Sequence, residues 1–166
     1  MAYYDKWGHA VSRDRNLDSR KGYYNSEIKV FYIYDDVHLT DSSMLLVTDY
    51  LKYDTETEIA HFETPTHIYS DSSTIYSELG DYNTNTRFAI SYKRSHVDNQ
   101  GRMIDCDTLY YDEQLDYGRA TGNVIIIDSL NNMTCTGRYG ETNQAEGFSF
   151  VTDSARVLFI DRGDSL

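Results

Sequence analysis

Acidic side chains crowd one short stretch of this sequence, and carboxylates at such density suggest metal or sugar chemistry. The stretch contains Asp105, Asp107, Asp112, Glu113 and Asp116. Calcium loops use patterns such as Asp-x-Asp-x-Asp-Gly with a distal Glu, and Asp105-Cys-Asp107 lacks both the glycine turn and the third ligand. A carboxylate pair also cleaves glycosidic bonds in some enzymes, but no pair stands apart here. The simplest interpretation is that these acids hold turns by accepting hydrogen bonds from backbone amides.

The histidines and glycines form no recognisable catalytic or metal-binding motif. The histidines are His9, His38, His61, His67 and His96. His61 and His67 lie six residues apart around Pro65 with no third ligand in register, so we expect packed or exposed histidines rather than a zinc site. No nucleophile elbow, P-loop or dinucleotide-binding motif occurs. The sequence therefore predicts no catalytic residue, no metal and no cofactor.

Two cysteines, Cys106 and Cys135, match no CxxC motif at their separation in the chain. The sequence leaves two states open for them, a disulfide in an oxidising compartment or two buried free thiols. The N-terminus lacks the apolar region of a signal peptide, so we expect either a cytoplasmic protein or a chain whose signal peptide is absent.

Composition excludes some partners and favours one secondary structure. The net charge of −12 argues against binding to nucleic acid, whose phosphates require Lys and Arg. Sixteen tyrosines favour pleated, half-buried surfaces, and a single proline leaves the backbone amides free for strand pairing. These features together favour a soluble β protein.

Segments of the sequence recur at an offset of about 57 residues. Asp49-Tyr-Leu-Lys-Tyr-Asp54 returns as Asp107-Thr-Leu-Tyr-Tyr-Asp112, an offset of 107 − 49 = 58. Gly80-Asp-Tyr82 returns as Gly137-Arg-Tyr139 at 137 − 80 = 57, and Gly22-Tyr-Tyr24-Asn25 precedes Gly80 by 58. Such repeats indicate a supersecondary unit stacked on itself. Because an active site needs a single set of residues, this symmetry argues against an enzyme.

Strand signals are strong and helix signals are weak throughout. Runs rich in β-branched and aromatic residues are Glu27–Tyr34, Arg87–Tyr92, Asn123–Asp128 and Ala155–Ile160. Turn signals rich in Asp, Asn and Ser separate the strands every 8 to 15 residues. We predict an all-β fold of repeated antiparallel strands, with one domain over residues 19–166 that is part of a longer protein, preceded by a poorly defined segment, residues 1–18.

Three short motifs, taken in order, resemble those of the OstA-like family, which includes lipopolysaccharide-transport proteins of the LptA type. They are Asp49–Asp54 with its second copy Asp107–Asp112, Thr121-Gly-Asn-Val-Ile-Ile-Ile-Asp-Ser129, and Ser19–Asn25 with its second copy Ser77–Asn83. The resemblance is greatest to the divergent OstA-like proteins of Bacteroidetes-type bacteria. In the earlier copy, Thr64-Pro-Thr-His-Ile68 stands where the later copy has Gly122-Asn123.

The resemblance implies an open, twisted β-jelly roll (a β-taco) whose apolar inner face holds lipid A acyl chains. It also implies a non-catalytic periplasmic protein that passes lipopolysaccharide toward the outer membrane. Its partners would be lipopolysaccharide and other OstA-like domains joined through strand edges, with a homo-oligomer as one form of such an assembly. The candidate groove residues are Leu51, Ile68, Ile75, Phe88, Ile90, Leu109, Val124, Ile126 and Phe150.

Two other functions fit the repeats. One is a structural or surface protein that forms filaments through its strand edges and carries no lipid. The other is a carbohydrate-active solenoid enzyme, which would need an asymmetric acidic cleft.

Overall fold

The chain folds into one antiparallel β-sheet, which confirms the predicted all-β class. A computed structural model describes residues 2–159; Ile160, the end of the last predicted strand, lies outside them. The described residues contain no helix long and apolar enough to cross a membrane. The strands are β1 Ala2–Tyr4, β2 Gly8–Ser12, β3 Arg15–Ser19, β4 Lys21–Asn25, β5 Val30–Thr40, β6 Met44–Asp54, β7 Ile59–Phe62, β8 Thr66–Ser70, β9 Ser73–Asn83, β10 Phe88–Asn99, β11 Arg102–Cys106, β12 Thr108–Asp112, β13 Tyr117–Asp128, β14 Met133–Asn143, β15 Phe148–Thr152 and β16 Arg156–Phe159.

The sheet is a meander of strands that bend at their middle. Long strands such as β5, β6, β9 and β10 each pair with the next along the chain, while pairs such as β7 and β8 act as the two arms of one broken strand. In β6 the buried positions are Met44, Leu46 and Thr48 before the bend, then Leu51 and Tyr53 after it. Because side chains alternate along a strand, this change of parity marks an irregularity that turns the strand while keeping one face inside.

The bend recurs at equivalent places in successive copies, and different residues produce it. Asp35 and Asp36 have positive φ in one copy, Arg94 in another, and Gly122 with Asn123 in a third. Asp153 and Ser154 have positive φ in a fourth copy, between β15 and β16, and one copy instead has Pro65 in the break between β7 and β8. The motif that lacks Gly-Asn therefore still bends, because proline interrupts the ladder where the other copies use left-handed residues.

The bends fold the sheet over so that its two halves face each other. We call half 1 the strand arms next to turns 26–29, 55–58, 84–87, 113–116 and 144–147, and half 2 the arms next to turns 13–14, 41–43, 71–72, 100–101 and 129–132. A Cβ added to Gly118 in half 1 would lie 3.0 Å from Ile104 Cδ1 in half 2. One cluster of buried side chains, extending from Leu17 to Cys135, fills the space between the halves.

The structural repeat is 29 residues, half of the offset found in the sequence. Asn25, Asp54, Asn83 and Asp112 begin equivalent turns at spacings of 54 − 25 = 83 − 54 = 112 − 83 = 29. In two of these turns the aspartate Oδ1 accepts two backbone amides, those of Glu56 and Thr57 for Asp54 and those of the equivalent residues after Asp112. Each unit thus consists of two bent strands joined by a turn that an Asn or Asp opens.

The doubled offset in the sequence has a packing cause. The same inward position holds Gly22, Leu51, Gly80 and Leu109 in successive units. A Cβ on Gly80 would lie 2.8 Å from the ring of Phe62, so the glycine makes room for a large neighbour. Large and small residues alternate in this layer, and alternate units therefore resemble each other most.

The N-terminal residues take part in the sheet. In the sequence no pattern is visible over residues 1–18, but β1 pairs with β4 and β2 pairs with β3. Arg15 and Leu17 are buried. The extent of the domain, residues 19–166 within a longer protein, stays a prediction.

Candidate functional site: the interior and mouth of the bent sheet

Six of the nine candidate groove residues lie inside the folded sheet. Leu51 and Leu109 are fully buried, and Ile68 lies directly opposite Ile75 on the neighbouring strand. A single apolar interior runs through successive repeats and contains all six: Leu51, Ile68, Ile75, Leu109, Val124 and Ile126.

The other three candidates, Phe88, Ile90 and Phe150, lie on the outer face. In the half 1 arm of β10 the buried residues are Ala89 and Ser91, so Phe88 and Ile90, which alternate with them, point outward. Phe150 is 41% exposed in β15. Side-chain size is a poor guide to which residues face inward here. The small Ala89 and Ser91 occupy the inner layer, and larger side chains from neighbouring strands fill the space around them.

The interior is filled by its own side chains. The space between Val97, Ile104, Tyr111 and Ile126 amounts to about 20 Å³, which holds roughly one water molecule. An acyl chain therefore enters only if the two halves move apart or the side chains repack.

Buried tyrosines form a ladder at the same place in three successive units. Tyr53, Tyr82 and Tyr111 are each at most 1% exposed, and their hydroxyls reach the following turn. The Tyr53 hydroxyl lies 3.3 Å from Thr84 Oγ1, and the Tyr82 hydroxyl donates to Glu113 Oε1 at 2.9 Å. Burial raises the pKa of all three phenols, so they stay neutral donors. Tyr53 and Tyr82 thus attach their strands to the turn of the next unit, and Tyr111 bonds Asp116 in the turn that follows its own strand.

The turns of the two halves meet along one line, which we call the mouth, and polar side chains bridge it. Near the N-terminal end, Glu58 in half 1 pairs with Arg13 and Arg15 in half 2. The Arg15 side chain is 6% exposed, with Nη1 3.3 Å from Glu58 Oε1, and Nη2 donates to the Thr84 carbonyl at 3.1 Å. This bridge closes the mouth between the first two units.

The next bridge joins Arg87 in half 1 to Asp41 in half 2. Arg87 Nη2 lies 3.1 Å from both carboxylate oxygens of Asp41, whose side chain is 4% exposed. Burial by itself raises the pKa of Asp41, but hydrogen bonds from the Ser43 amide and from Arg87 outweigh it, and the pKa lies below its ordinary value. The carboxylate is therefore charged and held by its partner.

A third bridge uses an amide. Asn99 in half 2 donates from Nδ2 to Asp116 Oδ1 in half 1 at 2.8 Å, and the Tyr111 hydroxyl donates to the same oxygen at 3.0 Å. Close by, burial raises the pKa of Glu113 above its ordinary value even though Tyr82 donates to it. Sequence reasoning missed these bridges; the signal for them is the charged residue that ends three successive turns, Glu58, Arg87 and Asp116.

The dense acids of residues 105–116 do not converge on a common point. Asp105 bonds His96, Asp107 accepts from Asn123, and the remaining three hold turns or mouth contacts. Within residues 2–159, no group of three or more His, Cys, Asp or Glu is placed to hold a metal ion.

Four of the five histidines form a row across the outer face of half 2. His9, His38, His67 and His96 are spaced by 29 residues and lie at the same level on alternate strands. Neighbours in the row are separated by two strand spacings, roughly 10 Å, which is too far to share a metal ion. His9 and His96 instead pair with Asp18 and Asp105 at 2.8 Å, and His61 on half 1 lies 2.7 Å from Asp81.

Cys106 and Cys135 are free, buried thiols, which decides between the two states that the sequence left open. Burial, with the neighbouring Asp105 and Asp107, raises the pKa of Cys106 to about 12. Such a thiol is a poor nucleophile and packs as a small apolar group.

Comparisons with known proteins agree with this architecture. The family model described as "OstA-like protein" matches residues 16–107. The crystal structure of LptH from Pseudomonas aeruginosa, described as the LptA homologous periplasmic component of the conserved lipopolysaccharide transport device, superposes with a TM-score of 0.59. The match covers 68% of this chain and 87% of LptH at 14% sequence identity, which shows a shared fold. No curated protein matches the chain.

Proposed function

We propose, since this chain belongs to the OstA-like protein family, that it is a non-catalytic periplasmic domain that binds lipopolysaccharide and passes it toward the outer membrane. The lipid A acyl chains would occupy the space between the two halves, and the sugars and phosphates would stay outside. The net charge of −12 is compatible with this arrangement, because the charged part of the cargo does not enter the interior.

The observation that carries the proposal is the continuous apolar interior of a sheet that closes only along its mouth. Buried apolar side chains from every repeat line one space, from Leu17 through Leu51 and Leu109 to Ile126. The mouth is held by ion pairs and hydrogen bonds between side chains rather than by backbone ladders. A sheet built this way separates its halves without losing a strand, which suits an elongated apolar cargo.

The fold shared with LptH supports the same role, because LptH is described as part of a lipopolysaccharide transport device. Strand edges supply the second part of the proposal. The described C-terminal edge strand β16 exposes Val157, Leu158 and Phe159, each at least 55% exposed. Exposed apolar edges invite pairing with another strand, so we propose that OstA-like domains, or further copies of this chain, join there.

Photo-crosslinking tests the lipid cargo. A photoreactive amino acid is placed at Leu109 or Ile126, inside the sheet, and in a matched control at Ile90, which faces outward on the strand next to Leu109. We expect lipopolysaccharide to crosslink from the two inner positions and not from Ile90. Folding of each variant is checked by circular dichroism. Equal crosslinking from Ile90 and Leu109 would show that the lipid lies on the surface.

The filament alternative makes the opposite prediction. The filled interior favours it, because the gap between Val97, Ile104, Tyr111 and Ile126 amounts to only about 20 Å³. A structural protein would give end-to-end oligomers in solution and no lipid crosslink from Ile126. If a folded Ile126→Asp variant binds lipopolysaccharide normally, Ile126 does not line the groove.

A further inference from the structure

In three of the five half 1 turns, the last residue bridges the mouth. Glu58, Arg87 and Asp116 occupy this position with φ of 60°, 61° and 45°, and each contacts half 2. In the following turn the position is Gly147, with φ of 71°. Glycine keeps the left-handed backbone that the turn needs but has no side chain to cross the mouth.

The space that a bridging side chain would occupy at Gly147 is open. A Cβ added there would meet nothing within 4 Å. Across the mouth, the ion pair of Arg102 lies within half 2, with Nε 3.5 Å from Asp128 Oδ2. That Nε is buried and has no hydrogen-bond partner among the described residues. Asp128 is already engaged by Asn131, which donates from its backbone amide and from Nδ2.

An opening of about 370 Å³ lies at this point of the mouth. It is lined by Arg102, Asp128, Asn131, Met133, Phe148, Ser149 and Gly147. Arg102, Asp128 and Ser149 also line the narrow gap above Val97 and Ile126 in the interior. The opening therefore has a polar rim with N–H and O–H donors, and it leads down to the apolar core.

We infer that this opening is the entry site for an amphiphile with an acyl chain and an anionic head. The acyl chain passes between Met133 and Ser149 toward Ile126, while the anionic head stays at the rim beside the Arg102 guanidinium and the Ser149 hydroxyl. This inference rests on the proposed lipid-binding function and adds where the lipid enters. Elsewhere, entry would first separate buried ion pairs such as Arg87 and Asp41, which is costly; at Gly147 no such pair stands in the way.

A Gly147→Asp variant tests the inference, because aspartate tolerates the left-handed backbone and places a carboxylate across the mouth from Arg102. Gly147→Asn is the matched control, with the same backbone strain and no charge. The probe is fluorescently labelled lipopolysaccharide, and the readout is its association rate by stopped flow. We expect the Asp variant to bind about tenfold more slowly and the Asn variant to stay close to wild type.

The outcomes separate this inference from the function on which it rests. A wild-type protein that binds no lipopolysaccharide refutes the proposed function. A wild-type protein that binds it, with an Asp variant equally fast, refutes the entry site alone. Time-resolved photo-crosslinking in the otherwise unchanged protein gives a second measurement: Met133 at the opening should crosslink before Ser72 at the bridged mouth, and simultaneous crosslinking would overturn the inference.

Discussion

The ion pair between Arg87 and Asp41 is expected to contribute strongly to stability, because it closes the mouth in a buried place. Asp41→Asn keeps the shape of the side chain and removes its charge, which leaves the Arg87 guanidinium, 18% exposed, without its counter-ion. Removing one partner of a buried pair costs about 3 to 5 kcal/mol, and we expect roughly 3 kcal/mol here because Arg87 keeps some access to water. For a chain of this length that loss lowers Tm by about 6 to 12 °C.

A double-mutant cycle measures the pair itself. The variants are Asp41→Asn, Arg87→Gln and their combination, followed by urea denaturation monitored by circular dichroism. We expect a coupling of about 2 kcal/mol, since the residues are in direct contact. The exposed pair of Arg20 and Asp36, at 3.3 Å, is the control and should couple by less than about 1 kcal/mol. A coupling below about 0.5 kcal/mol for Arg87 and Asp41 would mean that the mouth stands open in solution.

Three further predictions concern acid stability, strand packing and thiol reactivity. The folded-state pKa of Asp41 and of Asp128 lies below the ordinary value of about 3.9. Their contribution to stability is therefore present above about pH 5 and is lost as the pH falls through about 3.9 and below it. Urea midpoints that stay constant from about pH 6 to about pH 3 would contradict this prediction. Gly80→Ala should destabilise by about 1 to 3 kcal/mol in thermal melts, because its Cβ would lie 2.5 Å from the Ile90 carbonyl oxygen, and an unchanged Tm would show that the strands shift freely. Cys106, with a pKa of about 12, should react with a thiol reagent at pH 8 only after unfolding, and labelling of the native protein would show that its strand opens.

The sequence by itself determined the all-β class and the chemistry of the turns. Asp54 and Asp112 bend the chain with their own side chains, so their roles depend on neighbours two and three residues away. The order and spacing of the short motifs likewise indicated the OstA-like family, because both are visible in the sequence itself. Leu51 and Leu109 share a face with Tyr53 and Tyr111 two residues further on, because side chains alternate along a strand.

Only the tertiary structure decided which face the remaining residues occupy and how the mouth closes. Phe88 and Ile90 point outward because Ala89 and Ser91 fit the inner layer beside larger neighbours, which depends on the register between strands. The bridges form between residues 17 to 46 positions apart, such as Arg87 with Asp41, and require the bent sheet to bring two turns together. Chain folding creates these contacts, so a linear pattern shows only the charges and not their partners.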